Sequence, residues 1–167
     1  MCIRDSSGYA LFNDSVRYFT ETPKISFLNK DDTLNINSEI VFSKKDILIS
    51  HKDVKIISKN LTGKCDSLSF NQNDSLIKLY GSPVIWIDGY QVTSDTIILT
   101  YFDNEIKNFY LPNNPFICFK SDTTIFNQIK GNEMSGTFFQ NILQKISVHT
   151  QGESIYLVKE SLSLIHI

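Results

Sequence analysis

Alanine is all but missing: Ala10 is the only one in 167 residues. Helix interiors favour alanine and straight-chain residues. A chain poor in alanine and rich in aromatic and β-branched residues favours strands instead. Neither sign of charge is in excess, with 16 Lys+Arg against 18 Asp+Glu and a net charge of −2. There is no basic cluster either, which argues against nucleic acid as a partner. No apolar run approaches the roughly 20 residues that a membrane-spanning helix needs. Histidine and cysteine are scarce, at three each. A zinc site needs at least three protein ligands, and these cysteines are not spaced to supply them. His51 and Asp53 lie two apart, which puts both on one face of a strand, but a solvated strand histidine accounts for them equally. The many Ser/Thr–Asp pairs look like turns rather than nucleophile sites. The nearest enzymatic architecture, a parallel β-helix lyase, would need a cluster of basic and acidic residues that is not seen. No catalytic residue, metal or cofactor is expected.

The two ends share an unusual relation. Met1-Cys2-Ile3-Arg4-Asp5-Ser6 back-translates to ATG TGT ATA AGA GAC AG. Its reverse complement, in another frame, encodes Leu162-Ser163-Leu164-Ile165-His166-Ile167. Both ends are therefore expected to be translated library adapter and are set apart from the fold. The division expected is 1–6 as adapter artefact, 7–161 as one β domain that is a fragment of a longer protein, and 162–167 as adapter artefact. The end segments should pack poorly or extend from the domain, and Cys2 and His166 carry no chemistry. Cys65 and Cys118 remain, either as a pair in an oxidising compartment or as two small apolar-like residues.

What is present is rhythm. Short apolar-rich runs such as Leu76-Ile77-Lys78-Leu79, Val84-Ile85-Trp86-Ile87, Ile97-Ile98-Leu99, Phe109-Tyr110-Leu111 and Phe116-Ile117-Cys118-Phe119 follow one another. Between them stand Asn71-Gln72-Asn73-Asp74, Gly81-Ser82-Pro83, Asp88-Gly89, Asp103-Asn104 and Pro112-Asn113-Asn114-Pro115. These are turn chemistries: Gly for positive φ, Asn and Asp for Asx-turns, Pro to fix φ. Runs spaced by about 8–12 residues with such punctuation predict an all-β meander, sandwich or barrel. Phe138, Phe139, Ile142, Leu143 and Ile146 fall at near-helical spacing. A hairpin turning at Gln140-Asn141 is preferred there, with a short amphipathic helix as the alternative. A loose repeat of Asp, a small hydroxyl residue and an apolar run recurs at Asp32, Asp66, Asp74, Asp95 and Asp122, and reads as a strand start.

In this order and spacing, several segments resemble a known family. They are Leu61-Thr62-Gly63-Lys64-Cys65-Asp66-Ser67-Leu68, then Asp74 to Trp86, then Gln91-Val92-Thr93-Ser94-Asp95-Thr96-Ile97. Asn127 to Gly131, Met134-Ser135-Gly136 and Ser154-Ile155-Tyr156 continue the pattern. Together they resemble the OstA-like (LptA-like) lipopolysaccharide transport family, in its Bacteroidetes-type OstA-like form. The resemblance implies antiparallel strands stacked in a twisted V-shaped half-pipe, the β-taco or β-jelly roll. It also implies a periplasmic protein that holds lipopolysaccharide acyl chains and joins other transport-family β domains through sheet edges. Some 14 strands at about 4.8 Å spacing would make a groove roughly 65 Å long. Each buried CH₂ is worth about 0.8 kcal/mol, so acyl chains need no specific polar chemistry. A free bridge, a membrane-tethered relative and a translocon domain are all compatible. The rival reading is a structural or adhesin-like β-array without lipid binding.

Residues two apart in a strand share a face. The lipid-groove candidates are therefore Leu68 and Phe70, Ile77 and Leu79, Val84 and Trp86, Ile97 and Leu99, Phe109 and Leu111, and Phe116 and Cys118. At 84–87 and 97–99 the apolar run is continuous, and alternation alone does not choose the face. Trp86 suits a groove anchor or an ordinary core residue.

Overall fold

The computed structural model describes residues 2–6, 9–13, 16–28, 33–102, 105–121, 125–140 and 142–156. Among them every regular element is a strand. In chain order these are β1 (Cys2–Ser6), β2 (Tyr9–Asn13), β3 (Val16–Thr20), β4 (Lys24–Leu28), β5 (Thr33–Asn37), β6 (Ile40–Lys44), β7 (Ile47–Ile57), β8 (Leu61–Asn71) and β9 (Leu76–Tyr80). They continue as β10 (Val84–Ile87), β11 (Tyr90–Thr93), β12 (Thr96–Phe102), β13 (Glu105–Leu111), β14 (Phe116–Lys120), β15 (Phe126–Lys130), β16 (Glu133–Phe139), β17 (Ile142–Thr150) and β18 (Glu153–Ile155).

All pairings are antiparallel, and they sort the strands into two layers of one curled sheet. One layer runs β1–β4–β5–β7–β8–β10–β11–β14–β15–β18. The other runs β2–β3–β6–β7–β8–β9–β12–β13–β16–β17. The 11-residue strands β7 and β8 belong to both and make the bend of the V. In β7 the bend is a bulge between His51 and Val54, with Lys52 and Asp53 at φ 63 and 47. The strands thus form a half-pipe of two facing layers. With about ten rungs to a layer it is about 45 Å long, shorter than the single stack of 14 would be.

Outside the three successive hairpins β6–β7, β7–β8 and β8–β9, the chain alternates hairpin and corner. Hairpins such as β10–β11 stay within a layer, while β9 to β10, β11 to β12, β13 to β14 and β15 to β16 cross between layers. The crossings use the turn residues seen in the sequence. Gly81 and Ser82 have φ 75 and 55 before Pro83, and Asn114 has φ 48 before Pro115. Successive corners then bond to one another. Asp95 N–H donates to Asn113 O at 3.1 Å, Gly131 N–H to Pro115 O at 3.3 Å and Asn132 N–H to Thr150 O at 3.2 Å. Corners with no sheet partner thereby satisfy their backbone groups along a common spine.

One expectation changes and another narrows. Of the two outcomes expected for the first segment, extension is not the one seen: the backbone of Cys2–Ser6 pairs with Lys24–Leu28. An unpaired sheet edge accepts an extended segment through main-chain bonds with little regard to its sequence. The other end segment, 162–167, lies outside the described residues. Asp66-Ser67 is not a strand start: it sits inside β8, where the strand passes from its β10 partner to its β9 partner. The hairpin at 138–146 forms as preferred, turning at Gln140 with φ 53.

Candidate functional site: an apolar interior open at one end

The inner faces of the two layers form one apolar cluster. Leu68, Phe70, Ile77, Leu79, Ile97, Leu99, Phe109 and Leu111 all lie in it, on the layer that carries β9, β12 and β13. Facing them from the other layer are Ile36, Ile56, Ile85, Ile87, Val92 and Ile117. Phe27 of β4 meets Phe70 of β8 edge-on at 5.2 Å across the interior. Leu79, Ile97, Leu99 and Leu111 expose nothing to solvent. Midway along the chain the two layers therefore close directly on each other, and the candidates there form a packed core.

Four candidates point the other way. Val84 and Trp86 lie on the outer face, and Ile85 and Ile87 are the buried pair of β10. The register decides this. Ile85 pairs with Gly63 and with Val92, and the missing side chain of Gly63 leaves room for the Ile85 methyl. Trp86 pairs with Thr62 and Gln91, is 40% exposed, and donates from Nε1 to Gln91 Oε1 at 3.1 Å. Phe116 and Cys118 are likewise outward, because Ile117 pairs with the inward Val92 and is fully buried. Both tetrads are continuous apolar runs, so alternation offered no parity, and neighbouring strands chose it.

At the C-terminal end the layers part. Tyr90, Phe119 and Ile129 of one layer, Leu143, Gln144, Lys145 and Ile146 of β17 in the other, and Tyr156 line an open cavity of ≈ 250 Å³. Tyr90 and Phe119 stack tilted at 4.9 Å, and Phe119 meets Tyr156 at 6.1 Å. Burial pushes the Tyr90 hydroxyl above its usual range, with the Asp88 carboxylate and Tyr156 adding to the shift. Asp88 Oδ2 accepts a hydrogen bond from Leu143 N–H at 3.0 Å, tying the β10–β11 turn to the opposite layer.

None of these lining residues was among the groove candidates. The signal for Leu143 and Ile146 was present but resembled a helix. Phe138 pairs with Leu143 and Thr137 with Lys145, so Gln144 is an extra residue in β17. One inserted residue puts positions three apart on one face. The same device at Lys107 places both Ile106 and Phe109 inside. Tyr90 and Phe119 follow from parity once Val92 and Ile117 are known to face inward.

A second cavity of ≈ 370 Å³ lies near the spine, lined by Thr22, Lys24, Asn37, Ser38, Glu39, Asp53 and Lys55. Its charged lining does not suit an apolar chain. Asp53 pairs with Lys55 at 2.8 Å, while His51 stands edge-on to Phe42 at 6.3 Å on the outer face. Among the described residues no group of three or more His, Cys, Asp or Glu could hold a metal. Cys65 and Cys118 are free thiols. Cys65 faces the interior, and its burial raises its pKa to about 12.

The two-layer, corner-linked half-pipe is an LptA-like β-jelly roll. Among solved structures it is similar to LptH, the LptA-homologous periplasmic component of the lipopolysaccharide transport device of Pseudomonas aeruginosa. That match has a TM-score of 0.52 at 12% identity and covers 59% of this chain and 76% of that one. No protein-family model matches the sequence, and no curated protein does. No helix among the described residues is long and apolar enough to cross a membrane.

Proposed function

We propose that this chain is a periplasmic lipopolysaccharide-binding protein of the Bacteroidetes OstA-like type, acting in transport to the outer membrane without catalysis. The observation that carries the reading is an apolar interior that continues from the core into an open cavity at one end of an LptA-like fold. An acyl chain enters such a site through apolar contact alone, at about 0.8 kcal/mol per buried CH₂. The LptH likeness supports the same reading through that protein's own role. Partner β domains would join at strands that end the layers, such as β2, β17 or β18, by strand addition.

Photo-crosslinking to lipopolysaccharide tests the proposal. Probes at Phe119 and Ile146, on the cavity wall, should crosslink, and probes at the outward Trp86 and Lys78 should not. Crosslinking at the outward positions alone, or at none, would leave the chain as a β-array without lipid binding.

A further inference from the structure

The polar cavity of ≈ 370 Å³ near the spine has no part in the apolar interior. It lies within the stack, with β1 paired beyond β4 and β8 paired beyond β7. Register builds its floor. Lys24 pairs with Asn37, and Asn37 with Lys55, so the three side chains stand side by side on one face. Their neighbours Ile25, Ile36 and Ile56 pair in the same way and are buried on the other face. Three segments wall the cavity: the corner before β4, with Thr22 at φ 59, the corner after β5, with Glu39, and the β7 bulge, with Asp53 at φ 47. Left-handed backbone is unfavourable for a β-branched residue such as Thr22, and residues held there gather at ligand sites. Asp53 is paired with Lys55 at 2.8 Å and Glu39 with Lys52 at 3.5 Å. Lys24 makes no ion pair among the described residues. Beside it, Asn37 Oδ1 is buried and accepts no hydrogen bond among the described residues. An acceptor withdrawn from water without a donor destabilises the fold, and a ligand that brings the donor relieves that cost.

We propose that this cavity binds a small zwitterion, a free α-amino acid being the simplest. The ligand's ammonium group donates to Asn37 Oδ1 beside the Asp53 and Glu39 carboxylates, and its carboxylate pairs with Lys24. A neutral sugar would satisfy Asn37 but leave Lys24 without a counter-charge. A simple carboxylate would pair with Lys24 but bring Asn37 no donor. At ≈ 370 Å³ the cavity falls within the roughly 300–1,000 Å³ of small-molecule sites. The site lies outside the half-pipe's interior, so it stands or falls independently of the lipopolysaccharide reading.

The test is NMR titration of the isotope-labelled full chain with L-alanine. Alanine methyl ester, which keeps only the ammonium, propanoate, which keeps only the carboxylate, and glucose, which has neither charge, are the comparison probes. L-Alanine should shift the Asn37 side-chain amide resonances saturably at millimolar concentration. Each of the other three should bind about tenfold more weakly, since each lacks at least one charge-assisted hydrogen bond. Lys24→Met keeps much of the alkyl stem and removes the charge; it should weaken alanine binding about tenfold and leave the methyl ester unchanged. Asn37→Ala should weaken alanine and its methyl ester alike and leave the urea midpoint of unfolding where it was, because the oxygen removed holds nothing in the fold. A midpoint lowered by Asn37→Ala would assign that side chain to the fold and overturn the proposal. So would the absence of a saturable shift with alanine, or equal affinity for any of the three partial probes.

Discussion

Midway along the half-pipe, Leu79, Leu99 and Leu111 are sealed between the two layers, while at the C-terminal end Leu143 and Ile146 on the same inner face line an open mouth. Both regions are built by antiparallel strands with apolar side chains turned inward. The difference is what lies beyond. Each strand at the middle has a paired neighbour on both sides and a facing layer overhead. β17 is paired on one side only among the described residues, and its bulge at Gln144 shifts the strand. The same apolar pattern is sealed where strands pair on both sides under a facing layer, and lines a cavity beside β17 among the described residues.

A charge should separate the two regions most sharply. Leu99→Asp places an unpaired carboxylate where nothing is exposed, which costs several kcal/mol and should prevent folding. Ile146→Asp sits at the mouth within reach of water, so the domain should fold and lose only its apolar ligands. Circular dichroism and urea denaturation of the two variants check this; equal loss of stability would erase the distinction between core and mouth.

Next in size is the boundary between the regions. Gly136 lies opposite Phe109, and a Cβ there would run into the Phe109 ring, which is itself buried. Gly136→Ala should cost about 1–3 kcal/mol through overpacking, read as a lowered urea midpoint. An unchanged midpoint would mean that the interior there is as yielding as the mouth.

Alkaline pH probes the sealed side. Because burial raises the Cys65 pKa from 9.0 to about 12, the folded chain holds that proton where the unfolded chain has lost it. The stabilising contribution is complete below about 9 and is lost as pH rises through about 12. Cys65→Ala should therefore flatten the fall in stability over that range. A thiol reagent should label the outward Cys118 first, with Cys65 protected until unfolding.

The smallest effects belong to the outer face. Lys78→Glu and Trp86→Phe should each change stability by about 0.5 kcal/mol or less, since neither side chain enters the interior. A loss of several kcal/mol from Trp86→Phe would contradict its outward orientation.

Much of this was legible in the chain itself. Gly81-Ser82-Pro83, Asp88-Gly89 and Pro112 to Pro115 are turns because their residues tolerate or impose the required φ. Leu68 and Phe70, or Ile77 and Leu79, face inward because polar neighbours at the intervening positions leave one apolar face. The cavity was not legible. Its β17 wall is built on a bulge, and Tyr90, Phe119 and Ile129 matter because of the strand they face across the interior rather than through any local pattern.

Composition and turn chemistry by themselves determined that the chain is all-β, antiparallel and divided at these turns, because backbone preferences act within a few residues. Only the tertiary structure decided which face of Val84–Ile87 and Phe116–Phe119 is inside. In a continuous apolar run both faces are equally able to be buried, and the choice falls to the partner strand: Gly63 makes room for Ile85, and Val92 aligns Ile117. It also decided which inward side chains are sealed and which line the cavity among the described residues, because that depends on the strands beside and across from each one, and no single strand carries that information.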